Sequence, residues 1–256
     1  LNRIFRQAQG SRIIMNAHRI NKGEGIDMRG GKDADFFFAT KESNQEVVDT
    51  IVQYCKTNLP RYYHVDPLQD IQVLTPMQRG ECGAVNLNQV LQEAMNPSKI
   101  FLRRGGTQYR LKDKVMQIRN NYDIIWQQPD GTAGTGIFNG DMGIIEMLDP
   151  GSKTIQVRFE EKLATYSFEN QDQLEHAYAV TVHKSQGSEF EAVVMPLERR
   201  HPKLHYRNLL YTAVTRARKL LIMTGQKETV YAMVQNNRRT LRYTNQKEML
   251  QEMCDE

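Results

Sequence analysis

Ala179-Val180-Thr181-Val182-His183-Lys184-Ser185-Gln186-Gly187-Ser188-Glu189-Phe190-Glu191-Ala192-Val193-Val194 is the stretch whose reading decides the fold. An apolar, β-branched run opens it, a polar loop with one glycine follows, and a second apolar run closes it: strand, loop, strand. Ligands of parallel sheets collect at such strand ends. Gly187 permits close approach of a phosphate to the backbone, and His183, Lys184 and Ser185 carry donors for phosphate oxygens. Taken alone, the stretch also fits an ordinary polar loop with a solvated lysine and a structural histidine.

The residues on either side extend the pattern. Residues 177–182 and 191–197 read as strands, 207–218 as a helix, 220–224 as a strand and 229–234 as a helix. Upstream, residues 11–20 read as a helix and 35–40 as a strand. The capping box Ser43-Asn44-Gln45-Glu46 starts a helix that Pro60 ends. Residues 71–75 then read as a strand and 82–95 as a helix. Alternation of this kind implies a mainly parallel sheet covered by helices. Between residues 112 and 175 the texture changes to short β-like runs at 115–118, 143–147, 155–159 and 164–168, separated by turn residues, which suggests a small inserted β-barrel. Residues 124–136, with Trp126, read as a loop insertion there.

Composition narrows the classes. The 256 residues carry 34 Lys+Arg against 30 Asp+Glu, a net charge of +4, with 39% apolar residues, as expected of an ordinary globular protein. Three widely spaced cysteines, Cys55, Cys82 and Cys254, exclude a disulfide scaffold and suit a reducing, cytoplasmic setting. No apolar run approaches the roughly 20 residues of a membrane helix, so no membrane partner is expected. The start at Leu1, with neither Met nor a secretory signal, reads as a piece cut from a longer chain. His201 and His205 have metal-binding spacing, but no suitable third ligand lies near and Pro202 disfavours a continuous helix, so no metal site is expected.

A second informative stretch is Arg207-Asn208-Leu209-Leu210-Tyr211-Thr212-Ala213-Val214-Thr215-Arg216-Ala217-Arg218-Lys219. Helical phase sends Leu209, Leu210, Ala213 and Val214 to the core and sets Thr212 and Arg216 together on another face. A guanidinium fixed at the edge of a cleft neutralises charge developing on a transferred γ-phosphoryl group. The cluster of Arg216, Arg218 and Lys219 equally suits a helix C-terminus with no ligand at all.

Together these stretches resemble motifs V and VI of the RecD-like superfamily-one helicases, the family of the exodeoxyribonuclease V alpha subunit. Phe5-Arg6-Gln7-Ala8 with residues 11–21 resembles the motif IV region, and Val73-Leu74-Thr75-Pro76-Met77-Gln78-Arg79-Gly80 resembles the motif after it. Residues 114–143 resemble the approach to the family's inserted barrel. The resemblance implies an α/β, RecA-like P-loop NTPase fold of the second motor domain, built from residues 1–111 and 176–256, with an SH3-like β-barrel at 112–175. It implies arginine fingers at Arg6 and Arg216, ATP contacts at Gly187 and Glu189, and DNA contacts at Thr75, Thr181 and His183. The implied activity is ATP-dependent 5′ to 3′ movement on single-stranded DNA in recombination and repair. ATP and Mg2+ are the implied cofactors, and the implied partners are an upstream motor domain and possible further exonuclease V subunits. The chain has no G-x-x-x-x-G-K-[ST] loop, so the Mg2+ ligands are expected upstream and negligible ATP hydrolysis is expected of these residues alone. Lys112 is a departure: the family usually has glycine before that aspartate. The rival expectation is a non-catalytic nucleic-acid-binding or protein-docking module. A conjugative relaxase is a further possible parent.

Overall fold

The computed structural model describes residues 10–31, 34–198 and 204–237. Its first helix, α1 (Arg12–Lys22), starts at Ser11, whose hydroxyl accepts the Ile14 N–H, and stops at Gly23 in the left-handed conformation. Strand β1 (Phe36–Thr40) leads to the capping box at Ser43 and helix α2 (Asn44–Gln53), where both reciprocal bonds with Glu46 are made. The helix does not end at Pro60. A π-helical turn over Tyr54–Asn58 carries it into α3 (Leu59–Tyr63), with Pro60 in the first turn of α3. The π-helical turn just before it shifts the hydrogen-bond register, so the missing Pro60 N–H and its ring are accommodated within a continuous helix.

Strand β2 (Ile71–Thr75), helix α4 (Ala84–Met95) and a hairpin of β3 (Phe101–Arg104) and β4 (Thr107–Arg110) follow. The hairpin was not foreseen. Next come β5 (Lys114–Gln117), β6 (Asn121–Gln127), β7 (Ala133–Ile137), β8 (Met142–Asp149), β9 (Thr154–Phe159), β10 (Lys162–Tyr166) and β11 (Leu174–His176). They make one seven-stranded sheet in the order β11-β5-β8-β9-β10-β6-β7, antiparallel at every pairing. The expected loop at 124–136 is thus a hairpin: Trp126 lies opposite Gly134, where any Cβ would meet the indole. Alternate side chains, among them Val115, Ile145, Ile155, Val157, Ala164 and Tyr166, fill its interior.

The chain then returns through β12 (Ala179–Thr181), β13 (Phe190–Leu197), α5 (Arg207–Val214), β14 (Ala217–Gly225) and α6 (Lys227–Gln235). These complete a five-stranded sheet, β1-β14-β13-β2-β12, in which every pairing is parallel. Strand alternation divides its core. Val193 and Met195 pack with Ile13, Ile20, Leu210 and Met233 on one face, and Ala192 and Val194 pack with Val47, Ile51, Leu87 and Leu91 on the other. The two layers of helices are therefore α1, α5, α6 and α2, α3, α4. Asn88 of α4 exchanges two hydrogen bonds with the Ala179 backbone at 2.8 and 2.9 Å, closing part of the free edge of β12.

One buried carboxylate ties the two sheets together. Asp113, fully buried, receives Gln92 Nε2 (2.6 Å), Asn96 Nδ2 (2.7 Å), the Arg110 N–H (2.7 Å) and the Tyr178 hydroxyl (2.8 Å), with His176 Nε2 at 3.0 Å. Its partners sit on α4, on β4, on β11 and just before β12. The preceding residue, Lys112, where the resemblance leads to an expectation of glycine, adopts φ +73°, a conformation glycine takes without strain.

Candidate nucleotide and single-strand site

Because all five strands run the same way, the sheet has two distinct ends, and the expected site residues divide between them. Thr75 and Thr181 close β2 and β12 at the carboxyl end. Phe190 opens β13 opposite Ala217 of β14 at the amino end. The loop 182–189 runs from the first end to the second.

At the carboxyl end, the Val182 N–H bonds Thr75 O at 3.0 Å. Thr75 is fully buried, donates its hydroxyl to Cys82 O (2.6 Å) and accepts the Met77 N–H (3.2 Å). It fixes the turn into α4, and its side chain presents no surface. Thr181 is half-buried and accepts the Lys184 N–H. His183 is exposed, with Nε2 3.1 Å from the Tyr206 hydroxyl. Two of the loop's supposed phosphate donors are engaged internally: Ser185 is buried and bonds Val182 O, and the Lys184 ammonium sits 2.5 Å from Glu175. Beside them, a groove of about 330 Å³ runs between α4, the β3–β4 hairpin, β11 and β12. Its lining is about half polar and half apolar: Gln78, Gln89, Thr107 and Gln108 lie beside Val85 and Leu174, and the paired Lys184 and Glu175 complete it.

At the amino end, Gly187, Glu189 and Arg216 come together. Gly187 has φ +93° and nothing within 4 Å of where a Cβ would stand, so an L side chain there is strained but not crowded. Arg216 lies beyond the helix expected to carry it, because α5 stops at Val214. Its guanidinium donates to Ser188 O (2.9 Å), Thr212 O (3.3 Å) and Thr215 Oγ1 (3.3 Å). Three of its five N–H groups are thereby spoken for, and the rest remain for another acceptor. Arg218 and Lys219 belong to β14, so no helix C-terminus explains them. Arg218 Nε bonds Glu189 at 3.0 Å and Lys219 bonds Glu191 at 2.6 Å; that ion pair raises the Lys219 ammonium above its ordinary value. Arg6, the other expected finger, lies outside the described residues, as does His201. Among the described residues no cluster of His, Cys, Asp and Glu is arranged to hold a metal ion, and no helix is long and apolar enough to cross a membrane.

Comparison with known proteins bears on the fold. Residues 87–159 match the model of the ATP-dependent RecD-like DNA helicase SH3 domain, and residues 176–224 match that of the UvrD-like helicase C-terminal domain. The ATP-dependent RecD2 DNA helicase of Deinococcus radiodurans is 30% identical over 225 residues, covering 88% of this chain and 28% of the relative. The RecBCD enzyme subunit RecD of Buchnera aphidicola subsp. Schizaphis graminum is 30% identical over 169 residues, covering 65% and 26%. The chain thus spans little more than a quarter of the length of these relatives. Among solved structures, a Pif1 helicase from Candida albicans superposes with a TM-score of 0.52 at 12% identity, over 99% of this chain and 60% of the other, which supports the fold alone. An α/β motor fold with an SH3-like insert, two family models in chain order and the RecD relatives lead to one assignment: the chain belongs to the RecD-like superfamily-one helicases.

Proposed function

We propose that this chain is the second motor half of an ATP-dependent DNA helicase or translocase that moves 5′ to 3′ along single-stranded DNA in recombination and repair. The observation that carries the reading is the hydrogen bond from Arg216 to Ser188 O, which joins the arginine to the loop bearing Gly187 and Glu189. An arginine so placed is rigid, and its remaining N–H groups suit the oxygens of a γ-phosphate. Open space at Gly187 admits phosphate to the backbone. In this reading, the phosphate loop and the Mg2+ ligands come from an upstream motor domain, and ATP binds between the two halves. Arg216, with Arg6, stabilises charge on the transferring phosphoryl group.

Closure around ATP at the amino end draws the carboxyl end along, because both are ends of one sheet. There Thr181, His183 and the groove meet the strand, while Thr75 acts indirectly by holding the turn into α4. Contacts to the phosphate backbone dominate, so binding falls with salt and depends little on sequence.

The test is DNA-stimulated ATP hydrolysis by the full-length protein that contains this chain, wild type against Arg216→Ala, with folding checked by circular dichroism. A folded variant that loses about 10³-fold or more in turnover supports the finger role. A fully active variant refutes it. Wild type that hydrolyses no ATP with any DNA supports a docking module in place of a motor.

A further inference from the structure

The β3–β4 hairpin stands outside both large sheets and carries an arrangement that the motor reading does not use. Phe101 is 43% exposed, a large apolar ring left in water, and the Arg103 guanidinium lies 5.4 Å from its centroid on the same face. Gln108, directly opposite Arg103, accepts from that guanidinium at 3.2 Å and also lines the groove. Arg103, Phe101 and the groove therefore form one continuous face. Gly105 and Gly106 make the tip, with nothing within 4 Å of either Cβ position. Arg104, on the other face, lies 4.2 Å from the Phe168 ring.

Charge selects the ligand. Among the described residues neither Arg103 nor Arg104 has a carboxylate at ion-pair distance. Glu93, Asp172 and Glu175 pair instead with Arg110, Arg119 and Lys184. An exposed aromatic ring beside a guanidinium with no carboxylate partner, next to a groove of mixed apolar surface and amide donors and acceptors, suits a polyanion whose planar faces are unpaired.

We propose that the β3–β4 hairpin is a single-strand contact in its own right, in which a base of single-stranded DNA stacks on Phe101 and Arg103 holds an adjacent phosphate. This rests on the single-strand reading above and extends the strand's path from the groove onto the hairpin. Duplex DNA, whose bases are already stacked, gains nothing from Phe101.

The experiment is fluorescence anisotropy with the full-length protein that contains this chain, using labelled oligothymidylate of about 15 nucleotides and an abasic oligomer of equal length. Phe101→Ala is expected to weaken oligothymidylate binding about 5-fold or more and leave abasic binding unchanged, while Phe101→Tyr keeps the preference. Arg103→Ala is expected to lower the slope of log K against log salt by about 1 for both oligomers. Both substitutions are at exposed positions of a hairpin, away from the cores. Wild type that binds oligothymidylate, with both variants matching it on both oligomers, overturns the hairpin contact alone. Wild type that binds neither oligomer overturns the hairpin contact and the single-strand reading together.

Discussion

Removing the Asp113 carboxylate should loosen the inserted sheet from the motor sheet at a cost that the geometry bounds. Two of its partners, the Arg110 N–H and the Tyr178 hydroxyl, show no other acceptor, whereas Gln92 and Asn96 also donate to Gln108 O and Leu111 O. Asp113→Ala therefore orphans two buried donors at about 1–3 kcal/mol each and opens a small void, about 4 kcal/mol in all. Domains of this kind hold only about 5–15 kcal/mol in total. Asp113→Asn is milder. Its amide nitrogen fits best on the side of Tyr178, whose hydroxyl reverses to accept, leaving Asn96 opposed by a donor at about 2 kcal/mol. The assay is urea unfolding followed by Trp126 fluorescence and by far-UV circular dichroism. Trp126 is the single tryptophan and sits in the inserted sheet, so its transition reports that sheet by itself. The expected result is a lower midpoint for both variants, the alanine more than the asparagine, with the two signals parting in Asp113→Ala. An alanine variant within about 1 kcal/mol of wild type would refute the argument.

Lys112→Gly should stabilise the chain by about 0.5–1 kcal/mol, since φ +73° costs a side-chain-bearing residue more than glycine's extra unfolded entropy does; a thermal midpoint no higher than wild type would contradict this. Gly225→Ala should cost about 3 kcal/mol or more in chemical denaturation, because at φ +141° its Cβ would stand 2.3 Å from Leu197 O; near-neutral behaviour would show that β13 and β14 can part there. Burial lowers the Lys114 ammonium from 10.5 to about 8, so the unfolded chain binds more protons between those values and the cost of burying Lys114 fades as pH rises through them. The stability gained by Lys114→Met over wild type should thus shrink by on the order of 3 kcal/mol from pH 8 to 10.5, and a flat difference would refute it. The Cys55 and Cys82 thiols, pushed by burial up to about 12, oppose this trend above pH 9; the Cys82 contribution cancels in the comparison, whereas that of Cys55, which the Lys114 charge holds down, does not, so the difference is read below pH 9 as well as above it.

Local chemistry made much of the motor sheet legible. The capping box at Ser43, the alternation along β2 and β13, and the apolar stripe of α4 each depend on residues a few positions apart, and each appears where expected. Errors arose where a distant group competes. Thr215 and Arg216 both bond Thr212 O, and Phe190 pairs with Ala217, so the chain leaves the helix before Arg216 although the helical stripe runs on. The hairpin at 121–137 escaped notice because its cross-strand partner to Trp126 is a glycine, which carries no pattern. Of the site, the loop bearing Gly187 and Glu189 does meet Arg216, but burial of Thr75 and Ser185 could not be read from residue type. Asp113 was missed as a hub because its partners His176 and Tyr178 lie more than sixty residues away in the chain.

The order of the parallel strands bears on how the chain comes off the ribosome. Strands β1 and β2 are made first, yet they are not neighbours: β14 and β13 lie between them. The seven antiparallel strands, by contrast, are all present once His176 has been added. A nascent chain of that length holds every strand of one sheet and two strands with nothing yet to pair with; β2 gains its neighbours by Leu197, while β1 waits until Gly225 completes β14. The insert thus has all its strands before its host has, and the interval in between is when β1 has an open edge on either side.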